Sequence, residues 1–229
     1  MYELVKRSVD VLSASALLLV ISPFFLLIML ALRCSGEGEV FYRQRRIGQH
    51  GRPFYVLKFA TMLKNSLQMG NGAITLRNDP RITPVGKWLR KSKLNELPQI
   101  INVIVGDMSV IGPRPLIERS YLKYPQAIRE RIYSVPPGIT GMGSVVFRDE
   151  ERVVSEAVAR GHEAEPFYRQ YIYPHKAELE LYYQKHRSLW TDTKILILTV
   201  LAILRPQSNW VRSFFRDAPP LPTRLRAGQ

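Results

Sequence analysis

Residues 11–32 read VLSASALLLVISPFFLLIMLAL, 22 mostly apolar residues interrupted near the middle by Ser22-Pro23. As a straight helix the run is about 33 Å long at ~1.5 Å per residue, enough to cross a ~30 Å hydrocarbon core. Length alone reads as a single spanning anchor. Two features point elsewhere. Pro23 lacks an N–H and its ring clashes with the carbonyl four residues earlier, so the spacing predicts a kink, with the Ser22 hydroxyl on a carbonyl that the kink frees. Both flanks are basic, with Lys6 and Arg7 before the run and Arg33, Arg43, Arg45 and Arg46 after it. Lys and Arg favour the cytoplasmic side, so both ends are expected there. A re-entrant helix-break-helix over residues 1–35 satisfies both observations. The run is not a good secretory signal, because it exceeds the usual ~7–15 apolar residues and no small-x-small site follows it.

The 229 residues suffice for one domain, a membrane segment and a tail. Lys and Arg number 33 against 19 Asp and Glu, a net charge of +14. Such a surplus suits nucleic acid, an anionic membrane surface or a phosphorylated substrate. The apolar run favours the membrane, and no nucleic-acid partner is expected. Cys34 is the one cysteine, which excludes an intrachain disulfide and argues against a thiolate metal site. The four histidines are scattered, and neither a Gly-Lys-Ser/Thr phosphate loop nor a GxGxxG after a strand is present.

Beyond the membrane segment, residues 40–42 and 54–59 read as short strands separated by turn signals at Gly48 and Gly51-Arg52-Pro53. Residues 60–84 are polar, with a turn at Asn78-Asp79-Pro80-Arg81. Residues 85–94 combine Lys87, Arg90, Lys91 and Lys93 with Val85, Trp88 and Leu89, the pattern of an amphipathic helix at a membrane surface. Leu97, Ile100, Ile101 and Ile104 keep the spacing of a buried helix face, with Asn95 as its N-cap. That places Glu96 at the positive end of a helix, where anions gather. Residues 120–135 and 151–187 read as helix and 136–143 as a loop whose glycines are turn residues. The apolar run 194–204 is too short to span a membrane, and residues 205–229 read as a poorly ordered basic, Pro-containing tail.

Arg114 stands between Pro113 and Pro115, which stiffen the backbone and limit where the guanidinium can go. A pre-oriented Arg fork suits bidentate binding of phosphate oxygens. Glu96 and Asp107 are candidates for metal ligand, nucleophile or general base, although isolated carboxylates are ordinarily just solvated.

The ordered motifs carry a resemblance. Lys6-Arg7-x-x-Asp10, Ser22-Pro23, Phe41-x-Arg43-Gln44-x-Arg46-Ile47-Gly48, Lys58-Phe59-x-Thr61-Met62 and Asp79-Pro80-Arg81-Ile82-Thr83 come first. Leu89-Arg90-Lys91, Asn95-Glu96-Leu97-Pro98-Gln99, Gly106-Asp107-Met108-Ser109, Gly112-Pro113-Arg114-Pro115 and Pro137-Gly138-Ile139-Thr140-Gly141 follow. Together they resemble the bacterial sugar transferase family of monotopic phosphoglycosyl transferases over roughly residues 1–145. The resemblance implies a re-entrant helix kinked at Ser-Pro and a catalytic domain on the cytoplasmic face of the bacterial inner membrane. It implies transfer of a sugar-1-phosphate from a UDP-sugar to polyprenyl phosphate, with release of UMP, at the start of exopolysaccharide, capsule or O-antigen synthesis. Mg²⁺ and a ping-pong course come with it. In the family an Asp precedes the Glu of the site and attacks the phosphate bearing the sugar.

The chain departs from that pattern in three places. Asn95 occupies the nucleophile position, Ala60 stands where the family has Arg, and Met142 to Glu151 replaces a Gln-containing stretch. Three explanations stay open: Glu96 or Asp107 as nucleophile with Arg148 compensating for Ala60, direct transfer with Glu96 holding the metal, or a catalytically weak protein. The expectation is an α-rich α+β monotopic membrane enzyme with a small β element and interfacial amphipathic helices. Its parts are the membrane helix 1–35, the catalytic domain 36–204 and the tail 205–229. Glu96, Asn95 and Asp107 are the catalytic candidates, Arg114, Lys58, Arg148 and Arg90 the substrate ligands, and Glu96 the Mg²⁺ ligand. The expected partners are the UDP-sugar, polyprenyl phosphate, membrane lipids, and a second copy or downstream glycosyltransferases. The rival reading is an inactive scaffold that binds nucleotide sugar or a partner glycosyltransferase.

Overall fold

The computed structural model describes residues 1–66, 69, 79–204 and 210–220. Asn78, the first residue of the expected turn at 78–81, lies outside them. The fold is helix-rich with two small sheets, built around an N-terminal apolar helix α1 (Tyr2–Arg33). This helix is assigned without a break through Pro23, where two helices were expected. Proline at 23 deprives the Leu19 carbonyl of its helical donor, and the Ser22 hydroxyl donates to that carbonyl at 2.8 Å. The acceptor is satisfied and the helix continues.

Both halves of α1 pack on the same body. Ala14 joins Val56, Ile100, Val103 and Met108 in one core, while Phe25, Ile28 and Leu32 join Phe59 and Leu89 in another. The Phe25 ring lies 4.8 Å from that of Phe59, which stacks on Phe41 at 5.7 Å. The opposite side of α1 leaves Leu12, Leu19, Val20, Leu26, Leu27 and Leu30 exposed. At the start of the helix Lys6 is not a solvated flanking charge. It is buried against Asp10 (3.5 Å) and Asp192 (3.0 Å), and Arg7 donates to the carbonyls of Val103 and Ile104.

The hairpin β1 (Phe41–Ile47) and β2 (Pro53–Phe59) is antiparallel, Phe41 opposite Phe59 and Ile47 opposite Pro53. Helix α2 (Pro84–Lys91) follows, capped by Thr83, whose hydroxyl accepts from the Gly86 N–H at 3.1 Å. It buries Leu89 and exposes Trp88, as its amphipathic pattern predicts. Helix α3 (Gln99–Val105) starts four residues after Asn95, with Pro98 at its cap. A 3-10 turn at Leu94–Glu96 occupies the expected first turn. Asn102 on α3 is buried and acts as an extra strand edge: its Oδ1 accepts from the Leu57 N–H and its Nδ2 donates to the Tyr55 carbonyl.

The second sheet is a parallel pair, β3 (Ser109–Ile111) and β4 (Gly138–Thr140), where the sequence reads as a loop. Its glycines are contact residues: a Cβ on Gly138 would lie 2.1 Å from the Gly112 nitrogen. Between the strands come α4 (Glu118–Tyr121) and α5 (Gln126–Ile132). After β4 come α6 (Met142–Val146), α7 (Glu150–Ala159), α8 (Ala164–Phe167), α9 (Tyr173–Lys185) and α10 (Leu189–Leu204). Ile195 and Leu198 of α10 enter the largest core, together with Leu179 and Tyr183 of α9. The short α11 (Val211–Phe214) follows, and Phe215 is buried in that same core. The expectation of a poorly ordered stretch therefore fails for 210–218, because Trp210, Phe214 and Phe215 supply apolar surface among the arginines.

Candidate active site

The hairpin register puts Tyr42, Gln44 and Arg46 of β1 on one face with Lys58, Val56 and Phe54 of β2. This brings two cations toward the loop after β3. Arg46 donates to the Pro115 carbonyl (3.1 Å) and to Gln44 Oε1 (2.8 Å), so it is tied to the proline-flanked Arg114 segment. The Tyr133 hydroxyl donates to the Arg114 carbonyl at 2.8 Å, which ties down the backbone behind the guanidinium. Across from them, Lys93 adopts a left-handed φ of 61° and turns the chain so that the 3-10 segment presents Asn95 and Glu96. For a residue with a Cβ that conformation costs roughly 1–3 kcal/mol, a form of strain that recurs at functional sites.

Glu96 is the centre of this cluster. Its Oε1 lies 3.2 Å from Lys58 Nζ and 3.8 Å from Arg114 Nη2. Burial works to raise the Glu96 pKa, but the charges of Arg114 and Lys58 outweigh it and hold the carboxyl down at about 2. Lys58 shows the opposite side of the balance. Burial lowers it to about 8, Glu96 resists, and Arg114 and Arg46 add to the lowering. Arg46 is likewise lowered to about 10 by burial and by Arg114. Three cations therefore share one carboxylate, and the cluster has room for further negative charge.

The remaining sequence candidates fall in different places. Asn95 is partly exposed beside Glu96, and its amide makes no hydrogen bond among the described residues. Arg90 of α2 reaches back to the end of the hairpin, its Nη1 lying 3.5 Å from the Thr61 hydroxyl. Asp107 sits beyond the far end of α3, exposed, with Asn102 Nδ2 at 3.4 Å. Arg148 donates to the Ala202 carbonyl of α10 at 2.6 Å and pairs with Asp149. These partners lie at the C-terminal end of α10 and in the next residue.

Sequence reasoning missed Arg46 as a site residue, although it sits in the Phe41-to-Gly48 motif. It also missed a second polar group behind Arg114. There, Glu180 of α9 is buried, and burial pushes its carboxyl up to about 7 against the Gly143 and Arg114 amides and the charge of Lys176. No spacing in the sequence marks it, because α9 mixes Glu, Tyr and Leu without a clear apolar stripe.

Among the described residues no three His, Cys, Asp or Glu side chains gather closely enough to hold a metal. Glu96, already shared with Lys58 and Arg114, fits Mg²⁺ only when substrate phosphates bring further negative charge and complete the shell with water.

Comparison with known proteins bears on this geometry. The family described as bacterial sugar transferase matches residues 1–206. An exopolysaccharide production protein, ExoY, of Rhizobium meliloti is 42% identical over 63% of this chain and 70% of its own length. A UDP-glucose:undecaprenyl-phosphate glucose-1-phosphate transferase of Escherichia coli is 37% identical over 86% of this chain and 40% of its own. A UDP-N-acetylgalactosamine-undecaprenyl-phosphate N-acetylgalactosaminephosphotransferase of Aeromonas hydrophila is 34% identical over 89% and 44%. The chain thus spans less than half the length of the last two. A match over residues 1–206 that takes in α1, the Glu96 cluster and the Arg114 loop shows that the chain belongs to the bacterial sugar transferase family.

Proposed function

We propose that the protein transfers a sugar-1-phosphate from a UDP-sugar to polyprenyl phosphate, releasing UMP, as a membrane step of bacterial glycan synthesis. The observation that carries this reading is the cation surplus around Glu96. Arg46, Lys58 and Arg114 face one carboxylate, and burial has lowered Arg46 and Lys58. A diphosphate supplies the missing negative charge, and Arg114 offers it a forked donor. The named activities of the E. coli and A. hydrophila relatives support the same substrates.

The membrane reading rests on α1. A helix crossing the bilayer would carry one end away from the domain, whereas both ends of α1 touch it and the exposed apolar residues lie between and beside them. This favours a helix whose apolar side sits in one leaflet while both of its ends stay with the domain on the cytoplasmic face. Mg²⁺ would be held by Glu96, with Asn95 beside it, and would offset repulsion between donor and acceptor phosphates.

Two courses suit the site. In one, a Glu96 oxygen attacks the phosphorus bearing the sugar, UMP leaves with the bonding pair, and a lipid phosphate oxygen then displaces Glu96. In the other, the lipid phosphate oxygen attacks that phosphorus directly and Glu96 only holds charge. The depressed Glu96 pKa favours the second course, since a carboxylate with so little basicity is a weak nucleophile but a permanent anion.

The test is UMP release by detergent-purified protein with Mg²⁺, polyprenyl phosphate and a panel of UDP-sugars. Lipid-dependent release is expected, falling at least about 100-fold in Glu96→Gln. Intact-mass measurement without lipid should show no phosphosugar adduct on the native protein, and an adduct in Asn95→Asp, which restores the family nucleophile. Nucleotide-sugar binding without UMP release in any mixture would overturn the reading in favour of a scaffold.

A further inference from the structure

Behind the Arg114 loop is a small cavity, about 20 Å³, walled by Arg114, Tyr124, Tyr133, Gly143, Lys176 and Glu180. That is room for one water-sized polar group. Its floor is chemically unusual. The Glu180 residue is 6% exposed, and its Oε2 is buried with no hydrogen-bond partner. A buried carboxylate oxygen left without a donor is costly, so such an atom calls for a group to fill it. Gly143 is what admits the carboxylate, since a Cβ there would stand 2.6 Å from Glu180 Oε1. Lys176 brings a donor to the same space, its ammonium held by Glu150 and by the Tyr168 hydroxyl at 3.0 Å. Tyr124 and Tyr133 are buried beside it. Acceptor, donor and aromatic wall thus meet beside Arg114, the residue that this cavity shares with the Glu96 cluster.

The geometry points to a sugar-reading subsite: one hydroxyl of the donor's sugar enters this cavity, donating to Glu180 Oε2 and accepting from Lys176, while the diphosphate lies on Arg114, Lys58 and Arg46. This rests on the UDP-sugar reading above. The sugar ring, too large for the cavity, would stay at its mouth over Arg114. Glu180 would then select among donors by hydroxyl position and configuration, because a site built to bond a hydroxyl discriminates strongly against an analogue lacking it.

The experiment measures binding, so it remains readable whether or not transfer occurs. The full chain in detergent is titrated with UDP and with carbon-linked, non-transferable UDP-sugar analogues, then with versions lacking single hydroxyls. The native protein should prefer one UDP-sugar over UDP, and loss of one particular hydroxyl should cost about 10- to 100-fold in affinity. In Glu180→Gln, which keeps one oxygen for the Gly143 and Arg114 amides but loses the second acceptor, that hydroxyl should no longer matter, while UDP affinity is retained, which also reports an intact fold. Lys176→Met, at a separate position, should weaken the same hydroxyl's contribution and no other. The subsite is overturned if every hydroxyl deletion costs the same factor in native and Glu180→Gln protein, or if UDP affinity falls in parallel with UDP-sugar affinity in both Glu180→Gln and Lys176→Met. Failure of UMP release would count against transfer alone, since the hydroxyl coupling is read without it.

Discussion

One carboxylate serves three cations in the Glu96 cluster, and that imbalance dictates how the site titrates. The Glu96 pKa is lowered from 4.5 to about 2, so its contribution to stability is complete above pH 4.5 and disappears as pH falls toward 2. The size is on the order of 3 kcal/mol, and urea unfolding between pH 6 and 3 should show a shallower loss in Glu96→Gln than in the native protein. Lys58 has the opposite sign. Its pKa is lowered from 10.5 to about 8, so the fold gains stability as pH rises from 8 toward 10.5. A bound diphosphate should raise the Lys58 pKa again. Titration of UDP near pH 8.5 should therefore take up a fraction of a proton, measurable from the dependence of binding heat on buffer, and Lys58→Met should remove it. The sequence showed Glu96, Lys58 and Arg114 as separate motifs, and the structure brings these three together. Asp107 and Arg148 shared their chemistry but not their location, because charge alone does not say which end of a helix a side chain occupies. Glu180 was illegible for a related reason: a buried carboxylate and a solvated one look alike in a string of residues.

At the scale of elements, the strongly patterned pieces were readable and the short paired ones were not. The 22-residue apolar run, the hairpin with its Gly48 and Gly51 turns, and the amphipathic α2 all carry periodic or compositional signals. The β3–β4 pair carries almost none, being three residues on each side. Its logic is contact distance. Gly138 lies so close to Gly112 that Gly138→Ala must push two backbones apart. We expect a loss of about 3 kcal/mol or more, read as a lowered denaturation midpoint, and a displaced Arg114 loop. The sequence reading put the Ser22 hydroxyl on a carbonyl freed by Pro23, where the structure has it on Leu19, but expected two helices where α1 runs as one.

For the whole molecule, the decisive arrangement is that one body grips α1 along its length while leaving an apolar side uncovered. Helix α10 adds to the exposed apolar surface with Leu196, Val200, Ile203 and Leu204. The monotopic reading predicts that both ends of α1 face the same compartment. Cys34, exposed just after α1, is a native label site. In sealed vesicles an impermeant thiol reagent should reach Cys34 and, in a Cys34→Ser background, Glu3→Cys from the same side. Labelling from opposite sides would mean that α1 spans the bilayer. The seam that holds the start of α1 joins Lys6 to Asp192, with Tyr2 donating to the same aspartate. These partners are separated by nearly the whole chain. At ribosomal rates of roughly 5–20 residues per second, about 10–40 s pass between emergence of the first and of the second. The lipid-seeking helix is thus born long before its anchor, and during that interval Asp10 can gain the Ser109 hydroxyl while Lys6 has no carboxylate but Asp10. Premature termination ahead of Asp192 would leave behind a membrane-bound fragment whose ionic latch was never made.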